Sequence, residues 1–432
     1  MFKRLSIVIT VLMVLGMVLS ACGTAAPAYT CTDSIGCLKI GPTDPIHIAY
    51  LLVISGSNSA LGTDSRNGVE IAIDDAGGKI LGHTIKFDGQ DSGCSAEGGL
   101  AGATKLASDP TIVGIIGTSC SSEARAALPL LSKAGLVMIS PSNTAPTLTT
   151  PGSPDNYVPA YARTAHNDNF QGTAAAEFVY NVLKVTKAAT IHDGSLYAEE
   201  LVKVFGVKFQ SLGGTITDAT SVTVGQTDMS SVLAAVATGN PGMIYFPIFN
   251  PEGPFIIKQA RTTPGLEHIY LMGADGLFSP DVAKGAGADI EGFLVSSPAV
   301  SGAAYTAFLA KYKAKFGTGP INIFHAHAYD AFGILAAAIA KVAVKESDGT
   351  LYIPRAALRQ AVLNTSNYQG LTGVLNCNQP LTVNGTQIKY PGDCSAAGMA
   401  VWEYHNVPFN IFVSPEVVWI QGTGVIKAVP TP

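Results

Sequence analysis

Ile112-Val113-Gly114-Ile115-Ile116-Gly117-Thr118-Ser119-Cys120-Ser121-Ser122 is the stretch on which the fold turns. Its apolar half has the continuous character of a strand covered on both faces. Gly117 ends that strand, and the hydroxyls from Thr118 to Ser122 precede a helical stretch running from about Ser122 to Ala134. A strand that feeds a helix in this way is half of a parallel α/β unit. Its turn gathers unpaired backbone N–H groups at a helix N-terminus, where donors and dipole together attract an anion.

Working outward, the next strand, Leu136 to Ser140, ends in Pro141-Ser142-Asn143-Thr144-Ala145-Pro146, a second polar loop at the same sheet edge. The two loops could grip one carboxylate. Helix capping by Ser121 and turn formation by Ser142 and Asn143 would account for the same residues on local pattern alone. Upstream, Ile46 to Ile54 has the pattern of a buried strand. Val69, Ala72, Ile73 and Ala76 form one helical face of Thr63 to Ala76, stopped by Gly77-Gly78. Thr84 to Phe87 returns as a strand and Glu97 to Ser108 as a helix. After Arg163 the rhythm restarts, with helices expected over Gln171–Leu183, Glu199–Gln210 and Met229–Ala237. Strands are expected over Ala188–His192, near Ser221–Val224 and over Met243–Pro247. Two such runs predict two doubly wound lobes. Phe324 to Val344 is long and apolar, but its His, Asp and Lys residues and its Ala content predict a packed helix rather than a membrane span. From Gly373 to Val425 the sequence becomes turn-rich, with Asn384-Gly385 as a hairpin signal.

The chain has 432 residues, 47% of them apolar and 13% charged, which excludes disorder. Lys plus Arg number 26 against 31 Asp plus Glu, with no dense basic run, so no nucleic-acid partner is expected. Scarce charge and 46 Gly suit an exported protein. Lys3 and Arg4 ahead of the apolar run Leu5 to Leu19 form the charged and hydrophobic regions of a secretory leader over 1–21. Leu19-Ser20-Ala21-Cys22-Gly23 is similar to a bacterial lipobox, in which the Cys22 thiol receives a diacylglycerol. Two acyl chains suffice for stable anchoring, so attachment to a membrane without crossing it is expected, at the cell surface or in the periplasm. Residues 22–45, rich in Thr, Ala, Pro and Gly, are expected to act as a tether.

Six cysteines remain, and their grouping predicts neighbour pairs: Cys31 with Cys37, Cys94 with Cys120, and Cys377 with Cys394. No CxxC pair or close Cys and His set suggests a metal, and no cofactor is expected. His325-Ala326-His327 cannot converge on one ion, since residues two apart on a helix diverge by about 200°. The chain carries no GxSxG elbow, no GxxxxGK[ST] loop, no GxGxxG after a strand and no HExxH, and nothing nominates a nucleophile. Asp74-Asp75 and Glu199-Glu200 fit solvated helix faces better than an acid/base couple. An enzyme is not expected.

Three segments carry a resemblance: Asp74-Asp75-Ala76-Gly77-Gly78-Lys79-Ile80-Leu81-Gly82-His83-Thr84-Ile85; the bracket Asp91-Ser92-Gly93-Cys94 to Cys120-Ser121-Ser122; and Ile139 to Pro146. In that order they resemble the leucine/isoleucine/valine-binding proteins, type I periplasmic binding proteins that serve ABC importers, and the likeness extends loosely from about Ile46 to Trp402. The resemblance implies an α/β type I periplasmic-binding-protein fold, two Rossmann-like lobes joined by a three-segment hinge. The lobes are expected over 46–163 plus 297–371 and over 164–296 plus 372–427, with 428–432 as a tail. It implies that Ser121, Ser142, Asn143 and Thr144 take the carboxylate of an amino-acid ligand, Thr144 also reaching its ammonium. It further implies that Asp275 pairs with the ammonium and that Tyr197 covers the ligand from the second lobe. Phe249 stands where a Tyr hydroxyl would help hold the ammonium, Ser119 replaces an apolar contact, and Phe324 aligns near the ligand side chain. For Phe249 and Phe324, ordinary core packing is the competing assignment. Ser119 would call for a polar ligand group or a trapped water.

The expected function is therefore the substrate-binding component of an ABC importer. It would be monomeric, would capture a small amino acid, branched-chain type foremost, and would deliver it to permease subunits. A urea or short-amide binder of the same fold and a ligand-sensing surface receptor are the alternatives.

Overall fold

The computed structural model describes residues 29–383, 386–395, 398–405 and 416–430. The leader over 1–21, Cys22 and Asn384-Gly385 lie outside them. The helices are α1 (Ser59–Asp75), α2 (Ala96–Ser108), α3 (Ser121–Lys133), α4 (Asp168–Glu177), α5 (Leu196–Ser211), α6 (Ser230–Thr238), α7 (Glu252–Ala260), α8 (Pro280–Ala286), α9 (Ala303–Phe316), α10 (His325–Val342) and α11 (Arg355–Leu363).

The first sheet holds β2 (Ile46–Leu52), β3 (Lys79–Ile80), β4 (His83–Asp91), β5 (Ile112–Gly117), β6 (Met138–Ser140) and β7 (Tyr161–Arg163) in the order β3-β4-β2-β5-β6-β7. All pairs but β3-β4 are parallel. β5 is buried at every residue, as an apolar run covered on both faces should be. The second sheet holds β8 (Lys187–His192), β9 (Thr215–Ser221), β10 (Met243–Tyr245), β11 (Tyr270–Gly273) and β12 (Leu294–Pro298), ordered β9-β8-β10-β11-β12 and parallel. It is extended antiparallel by β19 (Met399–Glu403), β20 (Glu416–Ile420) and β21 (Gly424–Val425). In both parallel cores the strand formed first lies second in the order, with the third on its other side. Each sheet therefore has one point where the winding reverses, and ligands of open α/β sheets sit outside the carboxyl ends of the strands there.

Helices α9, α10 and α11 return to the first lobe. Phe332, Leu335 and Ile339 of α10 pack with Ile48, Val113 and Ile139 in one core, and Phe308 and Tyr312 of α9 pack on Ile71. No helix among the described residues is long and apolar enough to cross a membrane, and α10 is a packed helix as expected.

Four expectations are corrected. The stretch 22–45 is not all tether: β1 (Cys37–Ile40) pairs antiparallel with β14 (Leu351–Pro354), which also pairs with β13 (Val344–Lys345), and buries Leu38 and Ile40 in the first core. The Tyr29 N–H donates to Glu346 Oε1 at 2.6 Å. The third crossing does not lie at 371. The hairpin of β15 (Tyr368–Gly370) and β16 (Gly373–Leu375) precedes the paired β17 (Pro380–Val383) and β18 (Thr386–Lys389), while Leu375, Cys377 and Cys394 still pack in the first core. The chain enters the second sheet only at Met399. The strand expected near 221–224 lies at 215–221, because an edge strand with one mostly exposed face shows no apolar run. Val429, in the expected tail, packs against the second core. All three cysteine pairings are present: Cys31–Cys37, Cys94–Cys120 and Cys377–Cys394.

Candidate functional site

Every nominated residue but Phe324 follows the carboxyl end of a parallel strand. Ser119 and Ser121 follow β5, Ser142, Asn143 and Thr144 follow β6, Tyr197 follows β8, Phe249 follows β10 and Asp275 follows β11. Phe324 immediately precedes α10.

The first lobe's wall is built from two loops bonded to each other. Ser121 Oγ accepts from the Thr144 and Ala145 N–H groups at 3.2 Å each. Ser142 Oγ donates to the Ser119 carbonyl at 2.9 Å, and Thr118 Oγ1 to Asn143 Oδ1 at 3.1 Å. The Glu123 carboxylate closes a capping box at the start of α3, accepting from the N–H groups of Ser119 at 3.0 Å and Cys120 at 2.8 Å. Burial pushes its carboxyl up to about 7 against those bonds. The Cys94–Cys120 disulfide ties this loop to the end of β4. Behind the Ser142–Thr144 loop, the fully buried Arg163 donates to the carbonyls of Asn143 at 3.2 Å and Ala145 at 2.9 Å, and forms an ion pair with Asp393 at 2.7 Å.

The second wall is acidic. Asp275, 4% exposed, accepts from Gln171 Nε2 at 2.7 Å and from the Tyr197 hydroxyl at 3.1 Å. Burial raises its carboxyl to about 6, and those two bonds oppose the rise. Tyr197 packs against Phe249 with ring centroids 5.1 Å apart. Gln171 Oε1 meets His166 Nε2 at 2.5 Å. Since the Gln171 amide nitrogen already donates to Asp275, its oxygen is the acceptor and His166 carries its proton on Nε2. Burial pushes that imidazole down to about 4, so it is neutral at pH 7. The two walls touch: the Asp168 N–H donates to the Thr144 carbonyl at 2.9 Å, the Leu196 N–H to Ser122 Oγ at 3.0 Å, and the Thr147 N–H to Glu200 Oε2 at 3.1 Å. Asn58 and the backbone of Asn250 exchange two further bonds across the cleft.

The structure thus brings Ser121, Ser142, Asn143 and Thr144 together, and places Tyr197, Phe249 and Asp275 together on the facing wall. Ser119 Oγ instead accepts the Val53 N–H at 3.0 Å, so its hydroxyl has a partner within the protein. Phe324 is buried with Val53, Leu61, Cys120 and Ala165, an apolar cluster that Phe249 also touches. Sequence reasoning missed Asp168, His166 and Gln171. The signal was present in the polar run Thr164 to Asp168 leaving β7, at the same edge as the two nominated loops.

Comparison with known proteins gives a family and a fold. Residues 45–381 match the family described as periplasmic binding protein. The Leu/Ile/Val-binding protein of Escherichia coli strain K12 is 29% identical over 257 residues, covering 59% of this chain and 68% of that protein. The leucine-specific-binding protein of Salmonella typhimurium is 31% identical over the same shares. Among solved structures, the leucine binding protein LivK from Thermotoga maritima superposes with a TM-score of 0.70 at 26% identity, covering 86% of this chain and 99% of that one. A solute binding protein from R. palustris in complex with benzoate reaches the same TM-score at 21% identity, covering 90% and 98%.

Proposed function

From the premise that the chain belongs to the periplasmic binding protein family, we propose that it captures a small amino acid, branched-chain type foremost, between two closing lobes and delivers it to the permease of an ABC importer. It is a solute-binding protein and not an enzyme, and it works outside the cytoplasm.

The observation that carries the amino-acid reading is the opposition of the two walls. One side offers the Ser121 and Thr144 hydroxyls, Ser121 Oγ accepting from the loop N–H groups and keeping its own proton to donate; the other offers the buried Asp275 carboxylate held by Gln171 and Tyr197. A zwitterion needs donors for its carboxylate and an anion for its ammonium. Contacts made to both walls exist only when the lobes are closed, so the ligand shifts the equilibrium to the closed form. The permease can then distinguish loaded from empty protein by shape. Ser142 and Asn143 support the carboxylate loop, Phe249 and Phe324 bound the ligand side chain, and Ser119 acts through Val53 rather than through ligand. The first lobe comprises 37–163 plus 299–395 and the second 164–298 plus 399–429. Diacylglycerol on Cys22 anchors the monomer to the membrane, and fractionation of a Cys22→Ser variant, expected in the soluble fraction, tests the anchor.

Calorimetric titration with L-leucine, L-isoleucine, L-valine, urea, acetamide and benzoate tests the function. Binding of at least one of the three amino acids is expected, with an apparent stabilisation of about 2.7 kcal/mol at 100 times the dissociation constant. Binding of urea, acetamide or benzoate in their place would overturn the reading.

A further inference from the structure

The three disulfides differ in how their sulfurs meet solvent. Cys377 and Cys394 are both buried, closed to a reagent in solution. Cys31 is exposed and Cys37 half-buried. The Cys94–Cys120 pair has unlike ends: Cys94 is half-buried beside the exposed Asp91 and Gly93, while Cys120 is buried at the N-cap of α3. Attack from solvent is therefore directed at Cys94, and Cys120 is the sulfur that leaves. A helix N-terminus favours the thiolate form of that leaving sulfur.

A buried acid is built against this pair. A Glu123 carboxylate oxygen lies within 4.8 Å of both sulfurs, and among the described residues no carboxylate is so close to both sulfurs of either other pair. Besides the Ser119 and Cys120 N–H groups it accepts, this carboxyl has the Ser92 hydroxyl and the Cys94 N–H beside it, so it meets both ends of the crosslink. Helix α2 covers it closely, since a Cβ at Gly99 would come within 2.8 Å of the Glu123 Cα. Burial raises the carboxyl to about 7, which leaves a share of it protonated at neutral pH and able to give that proton away. Cys94 itself holds φ at 57°, in the left-handed region that Gly adopts freely and other residues rarely, so the chain relaxes there once the crosslink is cut.

We propose that Cys94–Cys120 is a thiol-exchange site, at which an external dithiol attacks Cys94, Glu123 protonates the departing Cys120 sulfur, and the cut loosens the ligand loop that Cys120 begins. One thiolate of the dithiol bonds to Cys94 Sγ; the Cys94–Cys120 bond breaks, and its electron pair goes to Cys120 Sγ, which takes the Glu123 proton. The second sulfur of the dithiol then displaces Cys94, which leaves as a thiol, and Glu123 recovers a proton from solvent. The dithiol loses two electrons and the protein gains them. Ser121, next in the chain and holding the Thr144 and Ala145 N–H groups, is then no longer tied to the end of β4, so ligand affinity falls. This last consequence rests on the amino-acid reading above; the exchange does not.

The test incubates folded wild type and Glu123→Gln with dithiothreitol at pH 7, traps free thiols by alkylation at timed intervals, and maps them by mass spectrometry. Gln can still accept the Ser119 and Cys120 N–H groups but has no acidic proton. Cys94 and Cys120 should be freed at least tenfold more slowly in the variant, with Cys31–Cys37 opening at the same rate in both. Equal rates at Cys94–Cys120, equal slowing of both pairs, or no reduction of Cys94–Cys120 in folded wild type overturns the exchange site. Should Glu123→Gln fail to fold, Glu123→Asp, which draws the acid back by one methylene, should slow the step at least threefold, and an unchanged rate overturns the role of Glu123 equally. Calorimetry of reduced wild type should show at least fivefold weaker binding of whichever of L-leucine, L-isoleucine and L-valine the oxidised protein binds. Undiminished affinity overturns the loosened loop, and no binding by the oxidised protein overturns the amino-acid reading and leaves the exchange site standing.

Discussion

The two walls of the cleft solve opposite problems. On the first, most polar groups are spent on the protein itself: Ser121 on the Thr144 and Ala145 N–H groups, Ser142 on the Ser119 carbonyl, Ser119 on Val53, and Arg163 behind them on two loop carbonyls. On the second, two acids are buried: Asp275 is held by two donors, while Asp168, whose carboxyl burial pushes well above the usual range, has the Thr144 hydroxyl beside it. The first wall is a preformed shape and the second an unmet demand. Preorganisation lowers the ordering cost of binding, and an unsatisfied buried charge makes binding selective. A site divided this way keeps its geometry when empty and still rejects ligands of the wrong charge.

Removing the guanidinium behind the first wall should break that contrast most severely. Arg163→Ala leaves Asp393 buried without its partner and frees the Asn143 and Ala145 carbonyls, a loss of about 3–5 kcal/mol of stability, read as a lowered melting temperature together with weakened binding. Asp275→Asn attacks the second wall alone. It should weaken an amino-acid ligand by more than tenfold in calorimetry with the melting curve preserved. The sign of its pH dependence follows from a carboxyl raised to about 6. The anion is present above that value and is lost as pH falls through it, so wild-type affinity should be full at pH 8 and decline below about 6. The Asn variant should lack the contribution of this group to that decline. Smallest is Ser119→Ala, which strips the Val53 N–H of its acceptor. It should cost on the order of 1–3 kcal/mol in thermal denaturation and leave affinity nearly unchanged; a large loss of affinity would place the Ser119 hydroxyl on the ligand instead.

The same division explains what could be read from the sequence. Strand β5 is a continuous apolar run and β2 is one but for His47, and both announce themselves, as do α1 and α3, which run out at Gly77 and Gly135. Strand β9 does not, because it lies at the sheet edge with much of its surface in water, and four-residue β1 sits among Thr, Pro and Gly that read as linker. The position of the third crossing was hidden because Cys377 and Cys394 draw their hairpin onto β7 through long-range bonds, such as the Cys394 N–H to the Arg163 carbonyl at 2.9 Å. In the site, Ser121 and Thr144 were legible as polar loops at strand ends. Asp168 and His166 were legible only as members of a polar run leaving β7, and Gln171 not at all, since their roles depend on Asp275, which lies 104 residues beyond Gln171.

The bond from Tyr29 to Glu346 and the pairing of β1 with β14 fasten the first of the described residues to the first lobe. Cys22 precedes Tyr29 by a stretch that spans at most about 25 Å when fully extended. A lipid there would moor one half of the clamshell close to the bilayer and leave the other half to swing, so that the stator carries the neutral loops and the rotor carries the acids.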